Sequence, residues 1–113
     1  MAKKKKQPSI TTLHRQWSLA VRTRANFTCE ICGRVKGKDC KKLDAHHVLS
    51  KERYPEYRFD LQAGVCLCFR CHKRLAHLDA IEFAEWLRAN KPSQYLFAQQ
   101  KILEKKKRGN DSQ

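Results

Sequence analysis

Four of the six cysteines fall into two C-x-x-C pairs: Cys29 and Cys32 in CEIC, and Cys68 and Cys71 in CFRC, with 35 residues between the pairs. A C-x-x-C turn lets two thiolates reach one ion, and backbone amides near the turn favour their negative charge. Two such turns complete a tetrahedral four-sulfur site, the donor set that suits Zn2+. Gly33, directly behind Cys32, fits a tight knuckle. A thioredoxin-type redox pair is disfavoured, because no βαβ pattern surrounds either motif. Cys66 alternates with Cys68 along an expected strand and so faces the same side, which makes it a rival ligand. The run LCFRCH favours Cys68. Cys40, in a charged loop, reads as a free thiol. A closed four-sulfur site leaves no position for substrate, so it accounts for stability and not for chemistry.

The histidines carry the rest. His46 and His47 are adjacent in LDAHHVLS, with Asp44 just before them, and QAGVCLCFRCHKRLAH places His72 and His77 behind the second cysteine pair. This combination resembles the HNH endonuclease family, in the zinc-bearing form common among phage and mobile-element proteins. The resemblance covers roughly Cys29 to His77. It implies a small α+β fold in which a ββα-metal (His-Me finger) core is stabilised by structural zinc and flanked by N- and C-terminal helices. It also implies metal-dependent hydrolysis of DNA phosphodiester bonds. Carried over by position, His47 matches the general base that activates water. His46 matches the metal ligand preceding it, His72 the histidine that opens the helix, and His77 a further ligand. The chemistry suits these roles. Phosphodiester hydrolysis needs a nucleophile made at neutral pH, where His titrates, and a cation to hold the phosphate. Imidazoles at 46, 72 and 77 suit Zn2+, Ni2+ or Mn2+, whereas Mg2+ prefers more oxygen ligands. Asp44 shares a strand face with His46 and is placed to support a ligand imidazole. The plainer reading of the doublet is two half-buried, hydrogen-bonded structural histidines; His14 reads as surface.

Two features strain that reading. Neighbours on a regular strand face opposite ways, so His46 and His47 serve one site only if the strand ends or twists there. His72 and His77 are five apart, about 140° around an α-helix, so the helix must be distorted if both are ligands. A third feature is an absence. The family's Asn-Gly step falls on Ala63 and Gly64, and alanine can neither ligate a metal nor pin a loop. The chain is then an inactivated (engineered) form, or an enzyme using Asp60 or Gln62 instead, or a member that binds nucleic acid without cutting.

The elements that must position these groups are short. Thr11 to Ala25 has helical spacing, with Thr11 or Thr12 to cap it. Leu43 to Leu49 and GVCLC read as strands joined by a polar loop, and FRCHKRLAH begins a helix. Helices are expected from about Asp79 to Asn90 and from Gln94 to about Lys106, broken by NKPS. Phe83, Trp86, Leu96 and Phe97 are their expected core residues. Residues 1–9 read as a disordered basic arm, 10–106 as one nuclease domain (core about 27–78, helices about 79–106), and 107–113 as a disordered tail.

Lys and Arg number 25 against 11 Asp and Glu in 113 residues, a formal charge of +14. Without the lysine-rich runs at 3–6 and 105–108 the body still carries about +6, which points to a polyanionic partner. Double-stranded DNA is the expected one, with Lys51, Arg53 and Arg58 in the hairpin loop and Arg70, Lys73 and Arg74 near the active helix as phosphate contacts. No apolar run approaches the roughly 18 residues of a membrane span, and the basic start has no apolar segment behind it, so a cytoplasmic setting in a bacterium or phage-infected host is expected. A homodimer surface on the C-terminal helices stays open. The rival function is a non-catalytic zinc-finger adaptor that binds nucleic acid.

Overall fold

The computed structural model describes residues 7–111, without the side chains of 76–78, 110 and 111. Its first helix, α1 (Ile10–Arg24), begins one residue before the expected range and is capped by Ser9, whose hydroxyl accepts from the Thr12 amide at 3.1 Å. That bond satisfies one of the amides a helix start leaves open. Arg22 and Arg24 in the last turn suit the negative end of the helix dipole. Trp17 and Val21 form its buried stripe. Asn26 and Phe27 then turn the chain with φ of 56° and 51°. For a bulky residue such as Phe27 this is a strained conformation, here spent on reversing the chain into the first cysteine knuckle.

Leu43–His47 (β1) and Gly64–Cys68 (β2) form a two-stranded antiparallel hairpin, with Leu43 opposite Cys68 and His47 opposite Gly64. The first strand stops at His47, short of the expected Leu49, although the Val48 amide still reaches the Ala63 carbonyl at 2.9 Å. All five residues of β2 are buried. A two-stranded hairpin is marginal alone, and here α1 covers one face while the following helices cover the other. Leu67, Val65 and Val21 have no exposure, and burying each such side chain contributes about 1.5–3 kcal/mol. The connecting loop contains two short 3₁₀ turns, Pro55–Tyr57 and Leu61–Ala63.

After β2, one α-helical turn (α2, Phe69–Cys71) runs into a π-helical segment, His72–Leu78. Next come α3 (Ala80–Asn90), capped by the Asp79 carboxylate at the Glu82 amide, and α4 (Pro92–Asp111). The expected break at NKPS is present: Lys91 ends α3 and Pro92 opens α4, a position where its missing amide costs nothing. The tail expected to be disordered is helical as far as Asp111; residues 112–113, like 1–6 of the basic arm, lie outside the described residues. Phe83 is buried, and Trp86 and Phe97 pack partly buried against the two core clusters. Leu96 does not join them: it is 61% exposed, on the outer face of α4. The result is a small α+β structure, and among the described residues no helix is long and apolar enough to cross a membrane.

Candidate functional site

The cysteine cluster is the more closed of two sites. The Sγ atoms of Cys29, Cys32, Cys68 and Cys71 all lie within 4.8 Å of one another, and Cys32 and Cys68 are 3.6 Å apart. A tetrahedral ion with metal–sulfur bonds of about 2.3 Å would set its ligands about 3.8 Å apart, so the cluster can hold a structural metal ion. The first knuckle is folded by the Cys29 amide on the Arg34 carbonyl (2.8 Å) and the Gly33 amide on the Cys29 carbonyl (2.9 Å). Gly33 has φ +79°, open to glycine at no steric cost. Thiol acidities are split. Burial raises Cys29 and Cys71, whereas at Cys68 burial is outweighed by hydrogen bonds from the Cys71 backbone and the neighbouring thiols, which bring it down to about 7. Crowded thiols resist ionising together, and a bound cation removes that conflict. Arg34 donates to the Cys32 sulfur at 3.5 Å.

Glu30, inside the first C-x-x-C, ties this knuckle to the rest. Its carboxylate accepts from the Cys66 amide at 2.6 Å and pairs with Lys91 at 2.8 Å, while its own amide donates to the Cys66 carbonyl at 2.9 Å. Cys66 is not in the cluster. It is fully buried, and burial, followed by the charge of Glu30, pushes its thiol up to about 12. Cys40 is a free thiol that packs against the core.

The histidine site lies at the other end of the hairpin. His46 and His47 do face opposite ways. The His46 ring meets His72 edge-on at 5.0 Å and Phe83 at 5.2 Å. His47 stacks on the Trp17 indole at 4.1 Å, with the planes 8° apart, and its Nε2 is 2.9 Å from the Arg58 carbonyl. Because β1 ends at His47, both rings, with His14, His72, Lys51 and Glu52, line one cleft of about 820 Å³. A carbonyl only accepts, so Nε2 carries the proton and Nδ1 the lone pair. Burial lowers the His47 pKa; the Arg58 carbonyl opposes this, and the charges of His14 and Lys51 add to it. Asp44 stands 3.4 Å from His72 Nδ1, and Lys42 is 3.8 Å from its other oxygen. Its partner is therefore the imidazole on the helix.

The π register bears on the spacing of 72 and 77. Hydrogen bonds run five residues apart in a π-helix, so position 77 comes one turn after 72. The His77 side chain lies outside the described residues. Among the described residues, the four cysteines are the only group of three or more His, Cys, Asp or Glu side chains close enough to share an ion. Asp44, His46 and His72 are neighbours without closing into such a group.

Ala63 has no exposure; its amide meets the Asp60 carbonyl at 3.0 Å and its carbonyl the Val48 amide. The two substitutes weighed for a missing asparagine point elsewhere. The Asp60 carboxylate caps the Gln62 amide at 2.9 Å, and neither residue lines the histidine cleft. Of the six basic residues singled out, Lys51 lines that cleft and Arg58 an adjoining one with His14 and His47. Arg70, Lys73 and Arg74 lie with Arg34 beside the cysteine cluster. Arg53 is exposed, its carbonyl taken by Lys105. Sequence reasoning passed over His14 and Trp17 as parts of this site. His14 is exposed, as expected, yet its ring is 5.6 Å from Trp17 and 5.9 Å from His47. Their spacing of three on α1 was the available signal.

No family model, curated protein or solved structure matches this chain.

Proposed function

We propose that the protein is a metal-dependent HNH-type endonuclease that hydrolyses phosphodiester bonds in double-stranded DNA, with Zn2+ as the structural ion in the four-cysteine site. The observation that carries this reading is His47: it lines a cleft shared with His46 and His72, and a backbone carbonyl fixes its tautomer. His47 is the general base. With Nε2–H committed to Arg58, Nδ1 takes the proton from the attacking water, and burial keeps the ring neutral and ready at physiological pH. His46 and His72, with His77, would hold the catalytic cation (Mn2+, Mg2+, Ni2+ or Zn2+), and Asp44 orients His72. When bound, that cation neutralises charge on the phosphate and on the leaving oxygen. Lys51 and the arginines on both flanks grip phosphates without reading sequence.

The test is relaxation of supercoiled plasmid in the presence of Mn2+, Mg2+ or Ni2+. The expected result is nicking that His47→Ala reduces by at least ~10²-fold, the size of a general-base contribution. Equal cutting by the variant would remove His47 from the mechanism.

A second reading has its own observation. Ala63 offers no polar group where the family pattern has asparagine, and the described histidines do not close around an ion. A zinc-bearing adaptor that binds nucleic acid without cutting accounts for both. It predicts plasmid binding with no relaxation under any of the three metals.

A further inference from the structure

The carbonyl that orients His47 belongs to an irregular loop, and irregular loops leave backbone groups to be satisfied from outside. Between Arg58 and Gly64 the bonds within the loop are those of short turns: the Arg58 amide to the Pro55 carbonyl at 3.3 Å, the Asp60 amide to the Tyr57 carbonyl at 3.1 Å, the Gln62 amide to the Asp60 carboxylate at 2.9 Å, the Ala63 amide to the Asp60 carbonyl at 3.0 Å and the Gly64 amide to the Leu61 carbonyl. Three side chains from distant helices add further bonds to its carbonyls. The Trp17 indole N–H donates to the Asp60 carbonyl at 2.9 Å. Arg24 donates to the Leu61 carbonyl at 2.7 Å and to the Gly64 carbonyl at 2.6 Å. Gln94, from α4, donates through one nitrogen to the Gln62 and Gly64 carbonyls, each at 2.9 Å. Four carbonyls in a run of five residues are thus held by side chains lying 30 to 43 positions away.

We propose that Trp17, Arg24 and Gln94 are positioning residues: by gripping the loop through its carbonyls they hold the Arg58 carbonyl against His47 and so set the direction of that imidazole. Trp17 acts twice, since its ring face stacks on His47 while its edge bonds the loop. Arg24 brings a rigid two-pronged donor that spans the 3₁₀ turn from Leu61 to Gly64. Gln94 closes the same turn from the opposite helix. The side chain at 63, which is apolar, contributes nothing to this restraint, and the three donors make a polar side chain there unnecessary. The inference deepens the endonuclease reading and rests on it for the role of His47. The restraint itself is a property of the loop.

The experiment compares the full metal-loaded wild type with two variants, Trp17→Phe, which keeps a stacking ring and loses the N–H, and the double variant Arg24→Met with Gln94→Met, and with one rescue form, Arg24→Lys in place of Arg24→Met in that double variant. One readout is the His47 Nε2–H signal in a ¹⁵N-histidine spectrum and its exchange rate with water. The other is kcat and KM for plasmid nicking. Both variants should speed Nε2–H exchange about tenfold or more and lower kcat between about tenfold and a hundredfold, the cost of a small misplacement, with KM within about twofold. Arg24→Lys, which restores one donor, should recover part of each loss. An unchanged Nε2–H signal in Trp17→Phe overturns the proposal, and so does a parallel fall in kcat and rise in KM. If the double variant does not fold, Trp17→Phe decides alone. If the wild type cuts nothing, the endonuclease reading fails and the imidazole signal still decides the positioning.

Discussion

His47 is held by three contacts of different kinds: an indole face, a backbone carbonyl and the tilted imidazole of His14. Each restrains the ring, and together they bury it enough to lower its pKa below the ordinary 6.5. The sign of the resulting pH dependence follows from proton counting. Above 6.5 both folded and unfolded chains carry neutral His47, which then contributes nothing to the pH dependence. As pH falls through 6.5 the unfolded chain gains a proton that the folded ring still refuses, so stability declines until the lower folded pKa is passed. Urea midpoints at pH 7.5 and 5.5 should therefore differ more for wild type than for His47→Gln. Equal differences would mean that burial does not penalise the charged ring. Cys66 shows the same physics in a thiol. Strand alternation put it on the side of Cys68, but the cluster closes without it, and Cys66 meets the first knuckle through its backbone amide on Glu30 instead.

At the scale of elements, α1 lies directly against the start of β2. A Cβ on Gly64 would lie 2.6 Å from the Trp17 ring and 2.7 Å from a Val21 methyl, both in the buried core. Gly64 has an ordinary extended backbone (φ −126°), so the need for glycine here is one of space. Gly64→Ala should cost about 1–3 kcal/mol, the usual cost of overpacking, seen as a lower Tm. It should also displace the Trp17–His47 stack, seen as altered ring-current shifts. A variant as stable as wild type would contradict the close packing. Local sequence and structure agree best where one strong signal dominates. The GVCLC run between turn signals marks β2, and Pro92 after Lys91 marks the break between α3 and α4. They part where distant contacts decide. CHKRLAH has the composition of an α-helix, yet its backbone takes the wider π register. The part played by Arg24 and Gln94 was hidden because their partners are backbone carbonyls 30 or more residues away, which carry no residue-type signal. The capping of α1 by Ser9 instead of Thr11 or Thr12 is a smaller miss, within the usual uncertainty of helix ends.

For the whole molecule, the cysteine cluster links the turn after α1 to the end of β2, and Glu30 with Lys91 extends that link to the end of α3. A small core gains a large share of its stability from such a cross-link. With a structural ion as the expected occupant of the cluster, treatment with a strong chelator should abolish cooperative thermal unfolding or lower Tm steeply, and Cys71→Ser should do the same without chelator. Both are read by calorimetry alongside metal content; a Tm unchanged in metal-free protein would make the cluster incidental to the fold. Charge was the most readable whole-chain property, and the structure distributes it: Lys101 and Lys105 lie over Tyr57, Phe97 and Tyr54, while Arg108 pairs with Glu56 at 3.7 Å. Part of the basic C-terminal run therefore braces the hairpin loop from α4. This arrangement sets an order of events during synthesis. All four clustered cysteines precede α4 in the chain, so a metal clasp can shut while α4 is still inside the ribosome. A chain whose Gln94 is still inside the ribosome would carry a closed clasp and a slack loop, so emergence itself delays the moment at which His47 becomes aligned.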